Sequence, residues 1–216
     1  VQRPVVLAHI RSIRKRRPDA RPAEVISILE RRFLTAVTTG GAAVGASAVI
    51  PAVGVGTSIA LTGVETVGFL EASALFAQSV AEIHGIPVED PERARALVMA
   101  MVLGSAGTDL VKQFAAQAAG GPGRNAFWGE VVAGSMPKAA FAQLSDLIQR
   151  HFVKRLAVTQ SSSALGRAIP FGIGAVIGGT GNHILGRTIV KASRDAFGPA
   201  PANFPLELNP VIRAPK

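Results

Sequence analysis

Residues 33–64 read FLTAVTTGGAAVGASAVIPAVGVGTSIALTGV and contain no charged side chain. The stretch is long enough to reach across a bilayer, which takes about 20 residues of helix. It is built mainly from Ala, Gly, Val, Thr and Ser, whereas typical spanning helices are rich in Leu, Ile and Phe. This composition fits two structures: a membrane-seeking helical hairpin, or a closely packed helix pair inside a soluble core.

Pro51 divides the stretch into two arms, because the residue before a proline disfavours the helical conformation. Helical spacing of apolar residues extends the first arm back to a start at Pro22, and the second arm continues to about residue 84. Small residues at four-residue steps let two helices touch backbone to backbone. We assign this packing or insertion role to Gly41, Gly45, Pro51, Gly56 and Gly68. The arms are expected to form an antiparallel hairpin with an apolar turn.

A second uncharged stretch, AIPFGIGAVIGGTGNHILG, covers residues 168–186 if His183 is neutral. Its small and polar residues recur every four positions and give one helical stripe. The members of this stripe are Gly174, Gly178, Asn182 and Gly186. We expect Asn182 to hydrogen-bond a neighbouring helix and His183 to be a satisfied interior or boundary histidine. This helix is the expected packing partner of the hairpin.

Strand signals are few, so the sequence predicts an all-α fold: a single helical domain built on a glycine/alanine-rich hairpin packed against a second small-residue helix. Asp90 is the expected N-cap of a helix over residues 92–119, with Pro91 at its first position. A loop over 120–125, a short helix near 127–132 and a helix over 138–157 follow. The domain is expected to span residues 22–198, between a basic N-terminal arm (1–21) and a Pro-rich extended tail (199–216). The arm is interpreted as solvated and partly disordered, or as a contact for lipid phosphates.

The formal net charge of +9 favours an anionic partner. The mean hydropathy of +0.34 and the charged fraction of 17% suit a membrane surface better than nucleic acid. Nucleic-acid binding is also disfavoured because aromatic residues, the platforms for base stacking, make up only 5%. The candidate contacts with an anionic surface are Arg14, Lys15, Arg16, Arg17, Arg31, Arg32, Arg187 and Lys191.

Motifs for catalysis and metal binding are missing from the sequence. There is no Cys, the four His lack metal-ligand spacing, and no phosphate loop or nucleophile motif occurs. We therefore expect no catalytic, cofactor or metal site. Glu65 lies in an otherwise uncharged helix face, where a charge has to be paired, solvated or neutralised. A structural role for Glu65 is favoured over a catalytic one.

Three stretches together resemble the EcsC family of bacterial proteins. They are LERRFLTAVTTGGAAVGASAVIPAVGVGTSIAL (29–61), EASALFAQSVAEIHGIPVEDPERARALVMAMVLG (71–104) and ALGRAIPFGIGAVIGGTGNHILGRTIVKASRDAFG (164–198). The HFVKRLA segment (151–157) is a weaker match. The resemblance rests on Gly/Pro punctuation and hydrophobic pattern. It implies a non-enzymatic role linked to membranes and secretion, and it supplies no site residues.

The leading hypothesis is a non-enzymatic membrane-associated protein that binds an anionic lipid membrane. It would self-associate or join a membrane or secretion complex through its small-residue helices. The expected location is cytoplasmic, peripheral or partly inserted at the inner face of the cell membrane, because neither a signal peptide nor Cys is present. The alternative is a soluble helical module that binds a lipid or another hydrophobic ligand in its core.

Overall fold

The computed structural model describes residues 1–47, 55–119, 129, 131, 136–166 and 173–208. Within these ranges the chain forms seven long helices, a short 3-10 turn and no strand. The helices are α1 (Arg3–Arg16), α2 (Pro22–Ser47), α3 (Val55–Ile83), α4 (Pro91–Leu103), α5 (Ser105–Ala119), α6 (Lys138–Gly166) and α7 (Ile173–Phe197), and the 3-10 turn is η1 (Leu206–Leu208). The predicted all-α single domain is confirmed.

The core is organised around α2, whose most extensive packing partner is α7, followed by α3. Arg194 of α7 binds Glu30 near the start of α2, while Gly179 approaches Ala42 further along it, so the two helices run antiparallel. The rings of Phe33 in α2 and Phe76 in α3 stack at 4.8 Å between centroids. In the described part of the chain, no helix combines the length and the apolar composition that crossing a membrane requires.

The predicted helix starts at Pro22 and Pro91 are confirmed. Proline suits the first turn, since the amide hydrogen that it lacks has no partner there. Asp90 caps α4 as expected, because its carboxylate accepts a hydrogen bond of 2.8 Å from the backbone N–H of Glu92. The capping residues thus fix where α4 begins.

Two helix predictions differ from the structure. The single helix expected over 92–119 is two helices, because Gly104 has a positive φ of 69°, which glycine adopts without strain, and ends α4. The helix expected to end near 157 continues to Gly166. The turn at Pro51 and the loop over 120–125 lie outside the described residues. Of the short helix predicted near 127–132, residues 129 and 131 are described as helical.

The N-terminal segment is helical and packed, and the interpretation of residues 3–16 as a solvated, partly disordered arm is wrong. Val6, Ile10 and Ile13 of α1 are at most 1% exposed. Their spacing of four and three residues places them on one helical face. That apolar face contributes to the core, and the arginines of α1 occupy the remaining surface. The N-terminal helix is therefore anchored by burial of apolar surface.

The described part of the Pro-rich tail also packs against the domain. Residues 199–205 are extended or bent, as predicted, but η1 follows and buries Leu208. Arg3 of α1 forms an ion pair with Glu207, and it also binds Glu82 of α3 at 2.6 Å. Arg3 thus connects the first helix, the end of α3 and the C-terminal segment.

Candidate anion-binding groove

An open groove of about 260 Å³ lies between α1 and α2. It is lined by Ile13, Arg16, Arg17, Ile28, Arg31 and Arg32. Four of the eight candidate contacts with an anionic surface therefore meet in one place, although they come from two separate stretches of sequence. We call this feature the arginine groove.

The two walls of the arginine groove have the same local sequence pattern. Residues 13–17 read IRKRR and residues 28–32 read ILERR, so each segment contains an isoleucine followed by arginines three and four positions later. On a helix, residues three and four positions apart lie on one face. Ile13 therefore shares a face of α1 with Arg16, and Ile28 shares a face of α2 with Arg31 and Arg32, while Arg17 is the C-cap of α1. This repeated Ile-x-x-Arg-Arg pattern is a signal for the groove that is present in the sequence, although charge and periodicity alone did not predict that the two segments meet.

Helix ends and backbone bonds position the α1 side of the groove. Arg16 lies in the last turn of α1, where cations interact favourably with the partial negative charge of the helix terminus. The backbone N–H of Arg17 bonds to the carbonyl oxygens of Ile13 and Arg14 at 3.0 and 3.2 Å. The backbone at both arginines is thus held by the end of the helix.

The positive charge of the groove is not neutralised by nearby acids. Within the described residues, no carboxylate forms an ion pair with any of its four arginines. Glu30 precedes Arg31 in sequence, but Arg194 binds both of its carboxylate oxygens, at 2.7 and 2.5 Å. Arg16, Arg17 and Arg31 are exposed and Arg32 is half-buried. The arrangement can therefore bind an anion that arrives from solvent or from a surface.

His9 of α1 lies close enough to the groove to sense its charge. Burial lowers the pKa of His9 below its usual value of 6.5, and the positive charge of Arg32 lowers it further. Both effects disfavour the imidazolium form. The pKa of His9 therefore depends first on burial and also on the charge at Arg32.

This lowered pKa predicts a pH dependence of stability. Between the native pKa of His9 and 6.5, the unfolded state binds more protons, so stability rises with pH until about 6.5 and the contribution of His9 is constant above it. Urea denaturation from acid to neutral pH is expected to show a smaller rise for His9→Asn than for the parent protein. A native His9 pKa at or above 6.5, measured by NMR, would contradict the prediction.

Arg14 does not line the groove, and its contact with an anionic surface stays a prediction. Its guanidinium donates to the carbonyl oxygen of Leu208 and lies 4.1 Å from the ring centroid of Phe204. Burial lowers the pKa of Arg14. The reason is helical geometry: one position past Ile13, the side chain points about 100° away from the groove and towards the C-terminal segment. Beside it is a second groove, of about 430 Å³, lined in part by Arg14, Arg21 and Phe204.

The other basic candidates are exposed but separate from the groove. Lys15 lies on α1, and Arg187 and Lys191 lie four residues apart on α7. None of the three lines the arginine groove, whose walls come from α1 with its C-cap and from α2. Their contact with an anionic surface stays a prediction.

The small-residue positions have different surroundings. A Cβ at Gly186 would lie 3.0 Å from Leu34 Cδ2 and 3.0 Å from Val37 Cγ2, so α7 approaches α2 closely there. Gly41 is buried. Gly68 is exposed, and a Cβ there would meet nothing within 4 Å, so it takes no part in a close contact among the described residues. Pro51 and the surroundings of Gly45, Gly56, Gly174 and Gly178 lie outside the described part of the structure.

Polar side chains join the three small-residue helices. Asn182 Nδ2 donates to Glu65 Oε1 at 3.0 Å, which confirms that Asn182 bonds a neighbouring helix. Thr38 donates its hydroxyl hydrogen to the carbonyl oxygen of Leu34 at 2.6 Å, so it accepts from His183 Nδ1 at 3.0 Å. His183 is half-buried and bonded, as expected. Within the described residues, no group of three or more side chains is arranged to hold a metal ion.

Comparison of the chain with protein families, with curated proteins and with solved structures finds no match. The likeness to the EcsC family therefore stays a hypothesis that rests on the Gly/Pro punctuation and hydrophobic pattern of the chain. Similarity of fold alone does not establish function, so the residues of the groove are the basis for inferring one.

Proposed function

We propose that this chain is a non-enzymatic, membrane-associated protein that binds the anionic inner face of the cell membrane through the arginine groove. The observation that carries the proposal is the convergence of Arg16, Arg17, Arg31 and Arg32, with no carboxylate paired to them among the described residues. Because three of these arginines are exposed, lipid headgroups can reach them without insertion of a helix.

The expected strength of this contact follows from the number of arginines. A basic residue near an anionic membrane contributes about 1 kcal/mol, so four contribute about 4 kcal/mol. That free energy corresponds to roughly a thousandfold in the partition constant. The planar guanidinium group also binds phosphate oxygens in pairs, which a lysine ammonium does not. Binding of this kind weakens as salt screens the charges.

The remaining parts of the proposal concern assembly. We propose that the close packing of small residues in α2, α3 and α7 forms the centre of the domain, and that the protein self-associates or joins a membrane or secretion complex through such helices. Exposed apolar side chains at Val64 and Val67 of α3 and Ile184 of α7 support an association of this kind. The resemblance to the EcsC family also favours it.

Vesicle flotation tests the membrane contact. The protein is expected to float with phosphatidylcholine vesicles that contain phosphatidylglycerol, but not with phosphatidylcholine alone. Changing the four groove arginines to glutamine should reduce binding by roughly a thousandfold at low salt. The matched control removes four positive charges outside the groove, at Arg95, Lys112, Lys138 and Arg150, and should reduce binding much less.

Two results would contradict the proposal. The first is a protein that stays in the aqueous fraction with anionic vesicles at low salt. The second is an equal loss of binding in the groove and control variants, because net charge alone would then account for the attraction. Circular dichroism of each variant checks that the helices are retained.

A further inference from the structure

The arginine groove is small for the amount of charge that it contains. Its volume of about 260 Å³ is below the roughly 300–1,000 Å³ of pockets that enclose drug-sized molecules. Four arginines line this space, and no carboxylate among the described residues forms an ion pair with them. Such a site suits a compact, highly charged group better than an extended organic ligand.

The floor of the groove is apolar and held by the core. Ile13 is 1% exposed and belongs to the core cluster, and Ile28 packs against that cluster. The four arginines come from two chain segments, the end of α1 with its C-cap and the first half of α2. The groove is therefore able to bind several oxygen atoms of one group at the same time.

The carboxylates close to the groove in sequence either pair with arginines outside it or do not line it. Glu30 of α2 is bound through both oxygens by Arg194. Glu24 lies 3.8 Å from Arg21. Asp19, in the turn that joins α1 to α2, is exposed and does not line the groove. An external anion thus meets the arginines without displacing a carboxylate of the described chain.

We propose that the arginine groove is a site for a lipid headgroup that ends in a phosphate monoester, as phosphatidic acid does. This inference rests on the proposed membrane function and specifies the lipid. A phosphate monoester has three free oxygens and carries close to two negative charges at neutral pH. A phosphodiester headgroup has two free oxygens and one charge. Four guanidinium forks from two helices match the larger number of acceptors, and nearby positive charge favours the dianion.

Vesicles of matched surface charge test this inference. One set contains phosphatidic acid in phosphatidylcholine and the other contains phosphatidylglycerol in phosphatidylcholine, with the compositions adjusted to equal zeta potential. The protein is expected to bind the phosphatidic acid vesicles about fivefold more tightly, the effect of roughly one further contact between a charge and a phosphate. The four-arginine groove variant should lose this preference. The four-site control variant should bind both vesicles more weakly and keep the preference.

A titration without vesicles distinguishes a lipid ligand from a soluble phosphate ligand. Inorganic phosphate is titrated while the ring signals of His9 are followed by NMR, because an anion at Arg32 offsets the charge that lowers the His9 pKa. We expect a weak upward shift of that pKa with phosphate and none in the groove variant. Folding of each variant is checked by circular dichroism.

Three outcomes would overturn the inference. Equal binding to vesicles of equal charge removes the headgroup preference but leaves the proposed membrane function intact. A preference that persists in the groove variant places the phosphate site elsewhere. Tight binding of inorganic phosphate by a protein that binds no vesicle would mean a soluble phosphate ligand, and it would contradict both the lipid assignment and the proposed function.

Discussion

Replacing Arg93 with alanine is expected to lower the free energy of unfolding by about 4 kcal/mol. Arg93 is 5% exposed, and its guanidinium donates to the carbonyl oxygens of Val131 and Met136 at 2.6 and 2.9 Å. It also lies 4.5 Å from the ring centroid of Phe141 at the start of α6. The alanine variant would leave both carbonyl groups without this donor and remove the side chain that joins α4 to α6. Urea denaturation followed by circular dichroism measures the loss.

Two control variants separate the contribution of the buried guanidinium hydrogen bonds from that of the positive charge. Arg95 lies on the same helix, is exposed, and pairs with Glu92 at 3.3 Å, so Arg95→Ala should cost at most about 1 kcal/mol. Arg93→Lys keeps the charge but replaces the planar fork with a single ammonium group, so an intermediate loss is expected. Equal stability of the Arg93→Ala and Arg95→Ala variants would show that the buried hydrogen bonds contribute little.

Gly107→Ala should destabilise the protein by about 3 kcal/mol. Gly107 is buried in α5, and a Cβ there would lie 2.1 Å from the carbonyl oxygen of Ala100 and 2.8 Å from its Cα. These are backbone atoms of α4, so a rotamer change cannot relieve the clash. Either α4 or α5 has to move. Thermal and urea denaturation measure the effect.

The matched control for Gly107 is Gly40→Ala in α2. Gly40 is also helical, but it is exposed, and a Cβ added there would have no neighbour within 4 Å. Alanine has a higher helix propensity than glycine, so this variant is expected to be neutral or to gain up to about 1 kcal/mol. If Gly107→Ala also proved neutral, the close approach of α4 and α5 would not limit stability.

Helix type and several helix starts were readable from the sequence because their causes are local. A proline in the first turn and an N-cap carboxylate act within a few residues, as Pro22 and Asp90 show. The break at Gly104 was not predicted, because a single glycine inside a periodic apolar pattern does not indicate a positive φ. A Cβ at Gly104 would lie only 2.5 Å from Cγ2 of Thr188 in α7, so the chain approaches α7 closely at this break.

The stripe of small residues shows a limit of periodicity. Positions four residues apart on a helix drift by about 40° at each step, so a long stripe does not face one neighbour. Asn182 bonds Glu65 of α3, whereas Gly186 lies against Leu34 of α2. Gly179 does not belong to the stripe, yet a Cβ at this position would lie 3.3 Å from Ala42 Cβ. Which helix a residue meets is decided by the positions of both neighbours.

The sequence by itself determined the helical class, the N-cap of α4 and the excess of positive charge, because these follow from local spacing and composition. It also contained both Ile-x-x-Arg-Arg segments. Only the tertiary structure decided that these two segments face each other and that Arg14 turns away to Leu208. The physical reason is that burial of Ile13 in the core fixes the rotation of α1 against α2. That rotation sets which arginines meet.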